Sequence, residues 1–145
     1  MKTTPIIMRL IEAAPILGGR VAGAADFNAE VEAVRLGLPC AFVMRSSGEA
    51  SDADTLGEVV QMLTEEFAIV LAIDNSVSTT GQPAEDNLAP VYEEVLEALL
   101  GWIDNGTHNS LVFVRDDHVG FDRSRLWHQM LFRTSSSISS LDGMS

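Results

Sequence analysis

Three histidines, His108, His118 and His128, are the residues of this 145-residue chain whose type could most readily do chemistry. His118 and His128 stand ten positions apart, close enough to meet across a hairpin, and imidazole serves both as a metal ligand and as an acid or base near neutrality. Neither has a neighbouring His or Cys at ligand spacing, so the sequence does not favour a metal centre. Asp116-Asp117-His118 has the composition of an acid–base pair, but beside a hairpin turn such residues read as solvated charges. No serine sits in a G-x-S-x-G nucleophile elbow, and Ser135 to Ser140 read as a polar strand end. The stretch GGRVAGAAD lacks the following Lys-Ser/Thr of a phosphate loop and follows no predicted strand. Cys40, the single cysteine, lies in LPCAFV and reads as a buried reduced thiol; one cysteine excludes a disulfide within the chain. Trp102 and Trp127 read as packing residues. No catalytic, cofactor-binding or metal set is therefore predicted, and the expectation is that the protein is not an enzyme.

The elements that must position these side chains are dominated by one segment, EVVQMLTEEFAIVLAIDN, residues 58–75. Phe67, Ile69, Leu71 and Ile73 alternate with Ala68, Val70 and Ala72, and Val60, Met62 and Thr64 extend the two-residue period of a pleated strand. At about 3.3 Å per residue such a strand spans roughly 50 Å. A compact chain of this length has a diameter of about 40 Å. The strand therefore outruns the core that its own domain can build. Glu65 and Glu66 are adjacent in it and point to opposite faces, so at least one carboxylate lies on a face that is otherwise apolar. Two arrangements accommodate this: the distal half, residues 58–66, reaches a neighbouring subunit or a channel, or the strand bulges and bends within the monomer.

Around that strand, Thr4-Pro5 marks a helix start, with Ile7, Leu10, Ile11 and Ala14 on one face and an end near Pro15 and Gly18-Gly19. Residues 20–24 suggest a short strand and residues 27–34 a short helix. LPCAFVMR, residues 38–45, reads as a buried strand leading into the polar loop SSGEASDADTLG, which makes a hairpin with the long strand. LAPVYEEVLEALLGWI presents Leu88, Val91, Val95, Leu99 and Ile103 along one helical face, with Glu93, Glu94 and Glu97 opposite. Pro90 is tolerable only in a first turn, which places the helix start between Ala84 and Leu88, and Asn105-Gly106 ends it. LVFVRDDHV and LWHQMLFRTSSSIS are two further strands joined through GFDRSR. The fold class predicted is α+β: a four- to five-stranded, mostly antiparallel sheet with two main helices packed on one face and a long protruding β-hairpin.

Charge narrows the function further. The net charge is −12, and between Arg45 and Arg115 there is no Lys or Arg, while thirteen acids fall there, from Glu49 to Asp104. The other 76 residues hold nine basic and eight acidic side chains. An acidic field of this kind repels nucleic acid, which disfavours DNA binding through phosphate contacts; it also serves solubility. The N-terminal apolar stretch PIIMRLIEAAPIL is broken by Arg9 and Glu12, so neither a secretory segment nor a membrane span is expected.

The segments PCAFVMRSSGEA, VVQMLTEEFAIVLAIDN, EALLGW, LVFV and LWHQMLFRTS, in that order from residue 39 to 135, resemble the tail terminator, or tail completion, proteins of long-tailed bacteriophages and prophages. PIIMRLIEAAPIL is similar to their N-terminus. The chain departs from that pattern at Glu66-Phe67-Ala68, where these proteins often carry Arg before the aromatic residue. The resemblance implies one tail-terminator-like domain over residues 1–145 and no cofactor. It implies a virion protein of the head–tail interface, assembled in the host cytoplasm. There it forms a homohexameric ring on the tail tube protein, stops polymerisation and meets a head-side connector or stopper protein, while DNA passes the lumen without specific binding. Candidate inter-subunit or lumen residues are Arg45, Glu49, Asp52, Asp54, Glu58, Glu65 and Glu66 in and around the hairpin, with Arg115, Arg123, Arg125 and Arg133 as basic partners on an adjacent subunit. Competing readings are another head-to-tail joint protein, an adaptor or stopper; a small hydrolase or metal-dependent enzyme in which the histidines converge with Asp116, Asp117 or Asp122; and a monomeric module that binds a peptide by strand addition.

Overall fold

The computed structural model describes residues 1–32, 36–54, 57–75, 82–104, 108–122 and 124–140. In chain order these form α1 (Thr4–Ala13), a 3-10 turn (Pro15–Leu17), β1 (Val21–Gly23), α2 (Ala24–Glu32), β2 (Cys40–Ala50), β3 (Val60–Asp74), α3 (Gln82–Leu99), β4 (Val112–Asp122) and β5 (Arg125–Ser139). The strands make one five-stranded sheet in the order β1-β2-β3-β5-β4. Only β1 runs parallel to its neighbour; the β2–β3, β3–β5 and β4–β5 ladders are antiparallel. The long strand is thus the middle of the sheet, and its backbone pairs on both edges, with β5 from Val60 to Asp74 and with β2 from Leu63 to Ala72.

The alternation in β3 feeds two layers. Phe67, Ile69, Leu71 and Ile73 face the helices, where they pack with Ile6 and Leu10 of α1, Val91, Val95 and Leu99 of α3, and Leu126, Met130 and Phe132 of β5. Each such burial contributes about 1.5–3 kcal/mol. Val70 and Ala72 face the other way, into a smaller cluster with Cys40, Phe42 and Trp127. Phe27 of α2 covers it, its ring edge-on to Phe42 at 5.4 Å and to Trp127 at 5.5 Å. The two main helices share one face of the sheet as expected, and the short helix covers part of the opposite face.

Two helix boundaries differ from the sequence reading. α3 begins at Gln82, so Pro90 sits in its interior and not in its first turn. The amide that Pro90 lacks would have met the carbonyl of Asp86, and both residues lie on the exposed side, away from the packed stripe. α3 also stops at Leu99, because Gly101 takes a positive φ of 78° and its amide turns to the carbonyl of Leu111, breaking the helical ladder. Ile103 therefore lies outside the helix and is exposed, and Asn105-Gly106 falls outside the described residues. Among the described residues no helix is long and apolar enough to cross a membrane.

Candidate assembly surface

Beyond Phe67 the sheet continues past the cover of the helices. There β3 pairs through Glu66, Glu65, Thr64 and Leu63 with Ser47 to Ala50 of β2, and on its other edge from Glu66 to Val60 with Arg133 to Ser139 of β5. The hairpin is consequently one part of a three-stranded extension, which is more rigid than a two-stranded ribbon of the same length. Its open end is tied by reciprocal backbone hydrogen bonds of 2.9 Å between Asp54 and Val60. β2 carries a bulge between Arg45 and Ser47. Because one extra residue inverts the alternation, Arg45 and Gly48 come to share the helix-side face, while Ser47 and Glu49 turn to the opposite one.

The adjacent glutamates divide between those faces. Glu65 is buried on the helix side, 3% exposed, where one carboxylate oxygen accepts from the Met1 ammonium at 2.7 Å and the other from Arg45 Nε at 2.9 Å. Burial by itself raises the carboxyl pKa, but these two charged hydrogen bonds outweigh it and hold the group below its ordinary value. Gly48 makes the arrangement possible: a Cβ there would stand 2.0 Å from Arg45 Nη2 and displace the guanidinium. Glu66 faces the other side, directly opposite Arg133, whose Nε and Nη2 both donate to Oε2 at 3.1 and 2.7 Å. That contact lines an open cleft of about 640 Å³ with Ser47, Glu49, Thr64 and Arg115 on its walls.

Of the remaining predicted residues, Glu49, Asp52 and Asp54 are exposed around the hairpin tip, and Glu58 is half-buried and accepts a hydrogen bond from Ser139. Arg115 is exposed and lies 3.3 Å from Asp117 on its own strand. Arg123 falls outside the described residues. Arg125 departs from its expected place on a neighbour-facing surface: it is fully buried, 3.0 Å from Asp122, with its guanidinium 4.8 Å from the Trp127 ring. Its charge is balanced within the subunit because the β4–β5 turn folds Asp122 back over it.

A second cluster lies on the helix side of β4 and β5. His118 and His128 are directly opposed in register, with their Nδ1 atoms 3.3 Å apart. His118 Nε2 is 3.2 Å from Glu85 of α3, and His128 Nε2 is 3.6 Å from Asp116. Tyr92 hydrogen-bonds Asp116; burial, that hydrogen bond and the carboxylate charge push the phenol pKa up to about 12. Asp116 in turn is held below its ordinary value, chiefly by the Tyr92 hydrogen bond. Burial and then the nearby His118 lower the His128 pKa. His108 stands elsewhere, shifted downward by burial and then by the terminal ammonium. The structure thus unites two of the histidines with Asp116, while Asp117 and Asp122 pair with arginines. Glu85 and Tyr92 were not anticipated in this cluster; their seven-residue spacing on one helical face was the available signal. Among the described residues no group of three or more His, Cys, Asp or Glu converges as a ligand set.

Comparison with curated proteins finds no match. Among solved structures, the chain is similar to one from the virion of the native gene transfer agent (GTA) particle, over 92% of each chain, with a TM-score of 0.58 and 16% identity. Likeness at that identity concerns the fold. The profile of the phage tail terminator protein matches residues 1–142, nearly the whole chain. The chain therefore belongs to the phage tail terminator protein family and is a structural protein of a phage-type tail.

Proposed function

We propose that this protein closes the phage tail tube as a homohexameric ring, halting polymerisation of the tube protein and offering its other side to a head-side connector or stopper. The observation that carries the reading is the family match over residues 1–142, and the sheet extension supplies the part through which it would act. A ring interface is heterologous and closes by rotation, so an element that projects from one subunit lies against the next. The extension projects in this way, with exposed Glu49, Asp52, Asp54 and Arg115 and the half-exposed Glu66–Arg133 pair available to a neighbour or to the lumen. Glu65 and Arg125 are assigned a different part in this ring: they hold the subunit's own shape. Individual surface pairs contribute only about 0–1 kcal/mol, so the ring depends on their number and on the shape of the sheet end. Acidic side chains facing the lumen would repel phosphates and let DNA pass without specific binding. The protein would act in the virion, at the head–tail interface, after assembly in the host cytoplasm.

Molar mass by light scattering after size exclusion, with and without the matching tube protein, tests the reading. A hexamer, either alone or formed on tube ends, supports it. A monomer that leaves tube length and polymerisation unchanged overturns it.

A further inference from the structure

We propose that the His118–His128 contact is a one-proton latch that holds the edge strand β4 to β5 and α3 and opens when acid places a second proton on the pair. The latch belongs to the fold of one subunit and stands apart from the ring reading. β4 has a neighbour on one side only, and its ladder with β5 is interrupted by a bulge between His118 and Gly120. Side chains therefore carry much of its hold at this point. The titratable groups that face the pair are Asp116 from β4 and Glu85 and Tyr92 from α3. β3 presents apolar Ile69, Leu71 and Ile73 on the same face.

The two rings share their protons over four nitrogens. The central contact, Nδ1 to Nδ1 at 3.3 Å, is a hydrogen bond and takes one proton between its two nitrogens. His118 Nε2 lies 3.2 Å from Glu85, and His128 Nε2 lies 3.6 Å from Asp116, beyond hydrogen-bond length but within the reach of charge. Each outer nitrogen is better placed against its carboxylate as N–H than as a lone pair. Three protons therefore suit the pair, one more than two neutral rings carry. With two, a lone pair is turned toward a carboxylate; with four, both Nδ1 atoms are donors and the central bond has no acceptor. The extra proton belongs on His118, whose side chain is 52% exposed with Glu85 beside it. His128 is the buried partner, and burial and then the nearby His118 disfavour its charged form. Further acid must charge it as well. Two imidazolium rings with centres 4.8 Å apart repel, the Nδ1 atoms part, and β4 loses its tie to β5 and, through Glu85, to α3. The folded pKa of His128 is lowered from 6.5, so the hold is present above that value and is lost as pH falls through the lower folded one.

Amide exchange of the purified full chain, followed by NMR as protection relative to the free-peptide rate at each pH, tests the latch together with the ring nitrogen resonances of the histidines. Between about pH 7.5 and about pH 5, protection of the β4 amides beside His118 should fall about tenfold while that of β3 holds, and the fall should track the charging of His128. His118→Gln keeps a hydrogen-bonding group at a half-exposed position but cannot be charged, so its β4 protection should change less than about twofold over the same range. His108→Gln should behave as the unsubstituted protein. Unmoved β4 protection while both rings charge, an equal fall in His118→Gln, or a His128 ring that stays neutral until the whole chain unfolds would each overturn the inference.

Discussion

Replacing Glu65 by Gln tests whether the first residue beyond the helix-covered core is held by charge. The substitution keeps the shape of the side chain and removes the negative charge that the Met1 ammonium meets at 2.7 Å and Arg45 meets at 2.9 Å. Breaking a buried pair by neutralising one member costs about 3–5 kcal/mol. The Arg45 side chain is 47% exposed, so water takes over much of its charge and its share is small. The ammonium contact, almost wholly buried, carries most of the effect, giving an expected loss of about 2–4 kcal/mol at pH 7. For a chain of this size that lowers Tm by about 6–12 °C. The pH dependence has a definite sign. The folded pKa of Glu65 lies below its ordinary value of 4.5, so its stabilisation is present above that value and is lost as pH falls through the folded pKa. Urea and thermal unfolding of both proteins at pH 7 and near pH 3.5 should show a wide gap at the higher pH and a narrower one at the lower. Equal stability at pH 7, or a gap that widens on acidification, would refute the reasoning.

Phe67→Ala removes a fully buried ring between the sheet and its helices and is expected to cost about 3–5 kcal/mol, read as a lower urea midpoint with little change in slope. The chain has one tyrosine, so ultraviolet titration reports Tyr92 alone; its midpoint should lie near 12 and fall in Asp116→Asn without returning to 10, because burial, the larger cause, remains, and a midpoint unmoved by the substitution would contradict the Tyr92–Asp116 contact. Gly120 sits at the second bulge of β4 with φ of 141°, so Gly120→Ala should cost about 1–3 kcal/mol through backbone strain and quicken amide exchange around the β4–β5 turn.

The long strand was legible because alternation of apolar residues is a local property: Phe67, Ile69, Leu71 and Ile73 fall on one face of any pleated strand. The same parity placed Glu65 and Glu66 on opposite faces, yet it could not tell which was inside. That depended on the Met1 ammonium, 64 positions away, and on Arg45, carried round by a bulge that leaves no pattern in the sequence. Charge counting marked Arg125 as a surface partner, because composition has no depth; Asp122 and Trp127 close over it only once the β4–β5 hairpin forms. Pro90 reads as a helix boundary when its missing amide is weighed alone; it is accommodated inside α3 because it lies opposite the apolar stripe, on the exposed side.

By itself the sequence determined the alternating strand, the two main helices with most of the α3 stripe, the acid-rich middle and the family, whereas the face of α1 is turned from the expected one, with Ile6 buried and Ile11 40% exposed. The tertiary structure decided that β5 backs the outer half of β3, that α2 covers the second face, and that His118 and His128 meet beside Glu85, Asp116 and Tyr92. These depend on contacts between residues far apart in the chain, whose burial and pairing are fixed only when the sheet brings them into register.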